Sequence, residues 1–161
     1  MMSARTSPAP LGRRLLAAAI DAAFVLGIVG ISIARERATP FDGLFTFLGF
    51  GVAGVAWWVR DTGGASPGKR LMGLVVSRAD GERVDSGTSA RRNALLGAGL
   101  VLSGAGTLLI ADPFSETMAA LSTVLGGVLG VVGLGDAATA LLGERRRLER
   151  WAGTRVLRAP N

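Results

Sequence analysis

The chain contains no cysteine and no histidine. Their absence excludes disulfide bonds, thiol catalysis, zinc sites built from Cys and His, and a histidine proton relay. Any proton-linked chemistry would therefore have to use carboxylates. The serines have no evident general base beside them, so we predict that the chain is not an enzyme and has no catalytic, cofactor-binding or metal-binding residues.

Hydrophobic residues make up 49% of the 161 residues and are concentrated in four blocks. That fraction is ordinary for a soluble domain, so the clustering is the informative feature. Each block has about 20 residues, the length at which a helix crosses a hydrocarbon core of roughly 30 Å. We therefore predict an all-α polytopic membrane protein with four transmembrane helices, at residues 14–34, 41–59, 94–111 and 117–142.

The remaining segments are short and polar. We expect a disordered lead at residues 1–12 and one membrane domain at 13–161, with a central loop at 60–93 and a tail at 143–161. Of the 18 Lys and Arg residues, 16 lie at the N-terminal end, in the central loop with its borders, and in the tail. Only Arg35 and Arg37 lie in the two opposite connections. Because cytoplasmic segments are rich in Lys and Arg, we expect a multi-pass plasma-membrane protein with both termini cytoplasmic.

A net charge of +6 is also a property of nucleic-acid binders. Here the cations flank apolar blocks instead of gathering on one soluble module. We therefore expect contact with the lipid bilayer and its anionic headgroups, and no binding of nucleic acid.

Two polar segments have the pattern of β-strands. Residues 71–76 end in a β-branched run before an Asp80-Gly81 turn, and residues 153–158 alternate polar and apolar side chains. The pattern predicts a small two-stranded β element at the cytoplasmic surface, with interfacial coil as the alternative.

The segment from Gly63 to Lys69 matches the first seven positions of a nucleotide-binding P-loop. Arg70 replaces the Ser or Thr that would hold magnesium, and Pro67 removes one amide donor. We favour a surface turn that presents Lys69 and Arg70 to lipid phosphates. These two cations, with Arg92, are the candidates for binding headgroups.

Two carboxylates fall inside predicted spans. Asp21 lies on the order of 10 Å from the cytoplasmic edge, and Arg14 precedes it by two helical turns on the same face. Asp136 lies at a similar depth in the fourth span. Each is a candidate proton or cation site. A charged side chain deep in a membrane span costs roughly 2.5–3.5 kcal/mol, so we expect such a residue to have a functional or a structural role. The alternatives are structural: a contact of Asp21 with Arg14, Arg91, Arg92 or Asn93, and a hydrated helix end near Arg145 for Asp136.

Small residues recur at a spacing of four in the third and fourth spans. They are Gly99 and Ser103, and Ser122, Gly126 and Gly130. Such ladders let helices approach closely in lipid. They fit either a dimer interface or packing within one bundle.

Together these features resemble the RDD family of bacterial membrane proteins, named for one arginine and two aspartates. Arg14 and Asp21 match the first two letters, and the loop from Gly64 through Val76 to Asp80-Gly81 is similar to the family's loop signature. Arg92 matches an arginine that the family carries where the next span begins. The tail is similar to the family's last motif, except that Glu149 stands where the second aspartate is expected.

The resemblance implies a membrane protein whose activity is largely unassigned, with cation/proton exchange suspected for some members. Our first hypothesis is a small transporter or cation/proton exchanger, working as a homo-oligomer, in which Asp21 and Asp136 carry the proton or cation and Arg14 keeps Asp21 ionised. Glu149 is the fourth candidate for this ion-pair network. The alternative is a non-transporting scaffold that binds a partner or anionic lipid through its basic loop and tail.

Overall fold

The computed structural model describes residues 9–39, 43–109, 116–138 and 147–159. In chain order its elements are α1 (Leu11–Arg37), α2 (Leu44–Val59), a 3-10 turn (Thr62–Gly64), α3 (Pro67–Leu71), β1 (Leu74–Arg78), α4 (Ser86–Arg92), α5 (Ala94–Leu109), α6 (Glu116–Ala138), α7 (Arg147–Trp151) and β2 (Thr154–Arg158). The protein is mostly helical, and each of the four apolar blocks contributes one longer helix. Parts of the predicted lead (1–8), spans (41–42, 110–111, 139–142) and tail (143–146, 160–161) lie outside the described residues.

Two of the four longer helices, α1 and α6, are long and apolar enough to cross a membrane. Within the described residues, helices α2 and α5 have 16 residues each, about 24 Å at the rise of an α-helix, and these described lengths are short of a hydrocarbon core of roughly 30 Å. The structure therefore gives two candidate spans, and the count of four stays a prediction. Helix α1 begins at Leu11 and ends at Arg37, so it extends beyond the predicted span at both ends.

The four longer helices lie in a row. Helix α1 packs on α2, α2 on α5, and α5 on α6, while the other pairs of these helices make at most isolated contacts within the described ranges. Among the described residues, α1 and α6 therefore lie at the two ends of the row. Consequently the outer faces of α1 and α6 carry large exposed apolar side chains.

The small residues of the third and fourth blocks form the α5–α6 contact. A Cβ atom on Gly99 would lie 2.8 Å from the carbonyl oxygen of Gly126, and a Cβ on Gly126 would lie 2.8 Å from the nitrogen of Ser103. Both distances are too short for a side chain, so glycine allows the two backbones to approach closely. The ladder is therefore used for packing within one chain.

A polar cap, comprising residues 60–93 and 147–158, covers one end of the row. Strands β1 and β2 pair antiparallel in it, from Leu74 opposite Arg158 to Arg78 opposite Thr154. This confirms the predicted two-stranded sheet. The first strand begins three residues later than the predicted segment, because residues 67–71 form α3 and Gly73 turns the chain with a positive φ of 63°.

The cap is fixed to the start of α1 by a small apolar cluster. Leu74 of β1 packs with Ala17 of α1, and Met72 and Val156 cover them. Helix α3 also packs on α1. These contacts bring the first turns of α1 against the loop and the tail, where the charged residues of the chain meet.

Candidate functional site

Three buried carboxylates from distant parts of the sequence meet where the cap joins the helices. Asp21 comes from α1, Asp61 follows α2, and Glu149 lies in α7. They are 6%, 0% and 2% exposed. Buried carboxylates are costly unless they are paired, so their partners define the site.

Asp21 lies at the N-terminal end of the short helix α3. Its Oδ1 accepts a hydrogen bond from the Gly68 amide at 2.8 Å, and its Oδ2 accepts one from the Ser66 hydroxyl at 2.5 Å. The Arg60 guanidinium lies 3.6 Å from Oδ2. A Cβ at Gly68 would collide with the Ala17 carbonyl oxygen and lie 2.9 Å from Asp21, so only glycine admits this approach.

The P-loop-like segment thus holds a carboxylate of the chain itself. Ser66 is the N-cap of α3, because its hydroxyl accepts the Lys69 amide at 3.4 Å while it donates to Asp21. Pro67 takes the first helical position, where its missing N–H costs nothing. The Gly68 amide that would otherwise face a phosphate is occupied by Asp21.

Asp61 is the centre of the most buried part of the site. Lys69 makes a close ion pair with Oδ1, and Arg92 Nε lies 3.0 Å from Oδ2. Asn93 Nδ2 donates to Oδ2 at 3.3 Å. The Asp61 amide donates to the Ser89 hydroxyl at 3.1 Å, which fixes α4 beside the end of α2.

Glu149 joins the tail to this network. Arg92 donates to Glu149 Oε1 at 2.6 Å and to the Thr154 hydroxyl at 2.8 Å. Arg14 of α1 donates to the same Glu149 oxygen at 3.4 Å. Arg14 is therefore paired with Glu149, whereas the cation beside Asp21 is Arg60.

The environment shifts the pKa values of Asp61 and Lys69. Burial raises the pKa of Asp61, but Lys69, Arg60 and Arg92 outweigh it and hold the pKa well below the ordinary 3.8. Burial lowers the pKa of Lys69 to about 7, with Arg60 and Arg92 acting in the same direction and Asp61 opposing them. The pair is asymmetric because Asp61 faces three cations, whereas Lys69 faces one carboxylate and two arginines.

A cavity of about 80 Å³ lies beside this network, which is room for several water molecules. Leu11, Leu15 and Leu74 contribute to its apolar wall. Its charged lining consists of Arg14, Asp21, Arg60, Lys69, Arg92 and Glu149. Arg14 and Asp21, which carry part of the family resemblance, therefore line one cavity together with Glu149, which stands where the resemblance implies a second aspartate.

Asp21 and Arg60 also line a second cavity, on the side of α2. This space of about 200 Å³ is mainly apolar, with Phe24 and Trp57 in its wall. The Arg60 guanidinium lies 3.8 Å from the centre of the Trp57 ring, a cation–π contact. The Asp21–Arg60 pair is thus shared by a charged cavity and an apolar one.

The other predicted site residues lie in different surroundings. Asp136 Oδ1 accepts the amides of Arg147 at 2.8 Å and Leu148 at 3.3 Å, so it caps α7 and is not among the residues that line the charged cavity. Of the three headgroup candidates, only Arg70 is exposed. Lys69 and Arg92 are buried among carboxylates.

Sequence reasoning missed Asp61 and Arg60, and it placed Lys69 at the surface. In the sequence, Asp61 directly follows the second apolar block and an arginine. This position indicates that a carboxylate lies at the end of the second helix. A second signal was the composition, because Lys69 is the single lysine beside 17 arginines among the 18 cations. That lysine also means that carboxylates are not the only candidates for proton-linked chemistry.

Of the three comparisons with known proteins, the one with family models agrees with the resemblance. No curated protein and no solved structure matches the chain. The model of the RDD family matches residues 8–150, which include Arg14, Asp21, Arg92 and Glu149. The chain belongs to the RDD family.

Proposed function

We propose that this RDD protein is an integral membrane protein with four spans, and that its polar cap and both termini lie on the cytoplasmic side of the plasma membrane. Leu26, Ile31 and Val131 on the outer faces of α1 and α6 are 68%, 68% and 70% exposed. Such apolar faces are unfavourable in water and suited to lipid. Exposed arginines on the cap and the first turn of α1 favour the cytoplasmic side. They are Arg13, Arg70, Arg83, Arg91, Arg147, Arg150, Arg155 and Arg158.

Within this arrangement, the charged cavity binds the phosphate of an anionic lipid headgroup. The observation that carries the proposal is the charge around the cavity among the described residues. Four cations line it, against the lining carboxylates Asp21 and Glu149 and the adjacent Asp61, a surplus of one positive charge. Buried charge without a counter-charge is costly, so an anion in the cavity would be stabilised. The same surplus disfavours a bound metal cation.

Arg14 is the side chain that we expect to bind the phosphate. Its side chain is 23% exposed, more than those of the other lining cations, and its contact with Glu149 is long at 3.4 Å. A guanidinium has five N–H donors in a planar fork, which suits bidentate contact with a phosphate. Arg14 therefore retains donors for a ligand while Glu149 holds it in place.

The position of the cavity favours a lipid as the source of the phosphate. Leu11 and Leu15 in its wall are 41% and 46% exposed, so an apolar surface adjoins the charged lining. In the proposed orientation this edge lies at the cytoplasmic headgroup level. The volume of about 80 Å³ suits a small charged group.

The test is a binding titration of the purified protein in zwitterionic nanodiscs. Short-chain phosphatidylglycerol is added, with inorganic phosphate and glycerol phosphate in parallel, and tryptophan fluorescence is followed because Trp57 stacks on the cavity residue Arg60. The variants are Arg14→Gln and, as a matched control, Arg13→Gln, its exposed neighbour on α1. Loss of a charged hydrogen bond of about 1.5–3 kcal/mol should weaken binding by Arg14→Gln roughly tenfold to a hundredfold.

We expect Arg13→Gln to change the affinity by less than about twofold, since it removes only a screened surface charge. Equal losses in the two variants would mean general attraction to a basic surface and would refute a site in the cavity. Equally tight binding of the free phosphates would assign the site to a soluble anion.

Exchange of a proton or cation by a homo-oligomer is a second candidate. It is favoured by the position of Asp21, a buried carboxylate between a charged and an apolar cavity. Because α1 and α6 lie at opposite ends of the row within the described residues, a second copy would have to complete the wall around a path. Proteoliposome flux that requires Asp21, lost in a folded Asp21→Asn protein, would support this candidate over headgroup binding alone.

A further inference from the structure

Among the residues that the structure describes, the charges around the cavity do not balance. Asp21, Glu149 and Asp61 are matched in number by three arginines, Arg14, Arg60 and Arg92. The ammonium of Lys69 is the charge that remains. Lys69 is 7% exposed, so solvent screens this surplus charge poorly.

Lys69 is also the side chain in this network whose charge can change near neutral pH. The sequence has no histidine, cysteine or tyrosine and only one lysine. Arginines stay protonated, and carboxylates ordinarily titrate near about pH 4. Burial, with Arg60 and Arg92 nearby, lowers the pKa of Lys69 to about 7.

We infer that a proton on Lys69 and an anion in the cavity stabilise each other, so that the anion binds together with a proton. This inference rests on the proposed headgroup site and adds its regulation. The ligand it specifies is an anion whose own charge is constant, such as a phosphodiester headgroup. Binding would then respond to cytoplasmic pH although the chain has no histidine.

The physical basis is reciprocal coupling through the charges that face Lys69. Asp61 contacts it from the end of α2, Arg60 and Arg92 repel its proton, and Glu149 and Asp21 share the cavity. An anion in the cavity adds negative charge beside the ammonium and therefore raises its proton affinity. By linkage, the protonated state binds the anion more tightly, and the affinity falls by at most tenfold per pH unit above the Lys69 pKa.

Calorimetry measures this proton directly. Short-chain phosphatidylglycerol, whose phosphodiester keeps one charge, is titrated into the nanodisc protein in two buffers of different ionisation enthalpy. The dependence of the observed heat on the buffer gives the number of protons taken up. We expect an uptake approaching one proton about one to two pH units above the Lys69 pKa, and an uptake near zero an equal distance below it.

Lys69→Arg is the matched variant, because it keeps the positive charge but cannot release it. The Lys69→Arg protein should bind the lipid with an affinity that is constant over this pH range, and binding should take up no proton. A second measurement needs no variant. In protein labelled with ¹⁵N-lysine, the single side-chain signal of Lys69 should titrate, and its midpoint should rise when the lipid is added.

The outcomes separate the two proposals. Binding without proton uptake, or an unchanged Lys69 midpoint with lipid, overturns the linkage and leaves the headgroup site intact. Absence of binding at both pH values overturns the headgroup site, and the linkage with it. Uptake that persists in a folded Lys69→Arg protein would assign the proton to another group and overturn the inference.

Discussion

Arg92 donates to Glu149 Oε1 at 2.6 Å, and this buried contact joins the central loop to the tail across 57 positions of sequence. Arg92 ends α4, and Glu149 lies in α7. Arg14 reaches the same oxygen from α1. One carboxylate therefore holds three separate parts of the chain together.

Glu149→Gln should destabilise the protein strongly, because it removes the carboxylate from two arginines while leaving them in place. Breaking a buried ion pair in this way costs about 3–5 kcal/mol, which thermal unfolding in detergent micelles would detect. Glu149→Asp keeps the charge on a side chain shorter by one methylene, so we expect a smaller loss. Glu82→Gln is the control, since Glu82 is 71% exposed and pairs with Arg78 at the surface. Equal losses for Gln at both positions would contradict the role of Glu149.

Asp21→Asn should weaken the attachment of α3 to α1. Hydrogen bonds to a charged group are worth about 1.5–3 kcal/mol, and asparagine loses part of this stabilisation. Ser66→Ala removes the donor to the same carboxylate. We therefore expect non-additive losses in a double-mutant cycle read by chemical unfolding. Strictly additive losses would mean that the Asp21–Ser66 contact contributes nothing.

Much of the architecture could be predicted from local patterns. The four apolar blocks became the four longer helices, because block length and composition act within each segment. The sheet was predictable for a similar reason, since the β-branched run before Asp80-Gly81 and the alternation at 153–158 are both local signals. Two helices nevertheless have 16 described residues each, so block length alone did not fix the number of candidate spans.

The ion-pair and hydrogen-bond partners of the site residues could not be predicted from local sequence patterns. Arg14 and Asp21 lie on one face of α1, yet Arg14 pairs with Glu149 and Asp21 with Arg60 and α3. Helix periodicity fixes which side chains share a face, but the approach of α7 and α3 decides what they meet. Lys69 looked like a surface cation for the same reason, because its burial depends on Asp61 and on the folded loop.

Gly126→Ala should destabilise the α5–α6 contact, whereas Gly127→Ala should not. A Cβ at Gly126 would lie 2.5 Å from the Ser103 hydroxyl oxygen and 2.8 Å from the Gly99 carbonyl oxygen, but a Cβ at Gly127 would meet nothing within 4 Å. Both positions lie in α6, where alanine is intrinsically favoured over glycine by about 1 kcal/mol. Unfolding of the two variants in detergent gives the comparison, and equal effects would contradict the packing of this ladder within one chain.

The stability of the protein should rise with pH above neutrality because of Lys69. In the unfolded chain Lys69 keeps its proton up to its ordinary pKa of 10.5, whereas burial and the neighbouring arginines lower the folded pKa to about 7. Between these values the unfolded chain binds more protons, so the free energy of unfolding increases with pH; below about 7 both states are protonated and Lys69 adds no pH dependence.

Lys69→Met isolates this contribution, because the variant keeps the N-terminal amine and every other titrating group. Unfolding midpoints at about pH 7 and about pH 9 should differ in the wild type and converge in the variant. A slope that survives in Lys69→Met would place the titration elsewhere. A wild type whose stability falls over the same interval would mean that the ion pair with Asp61 outweighs the cost of burying the ammonium, so that the folded pKa of Lys69 lies above its unfolded value.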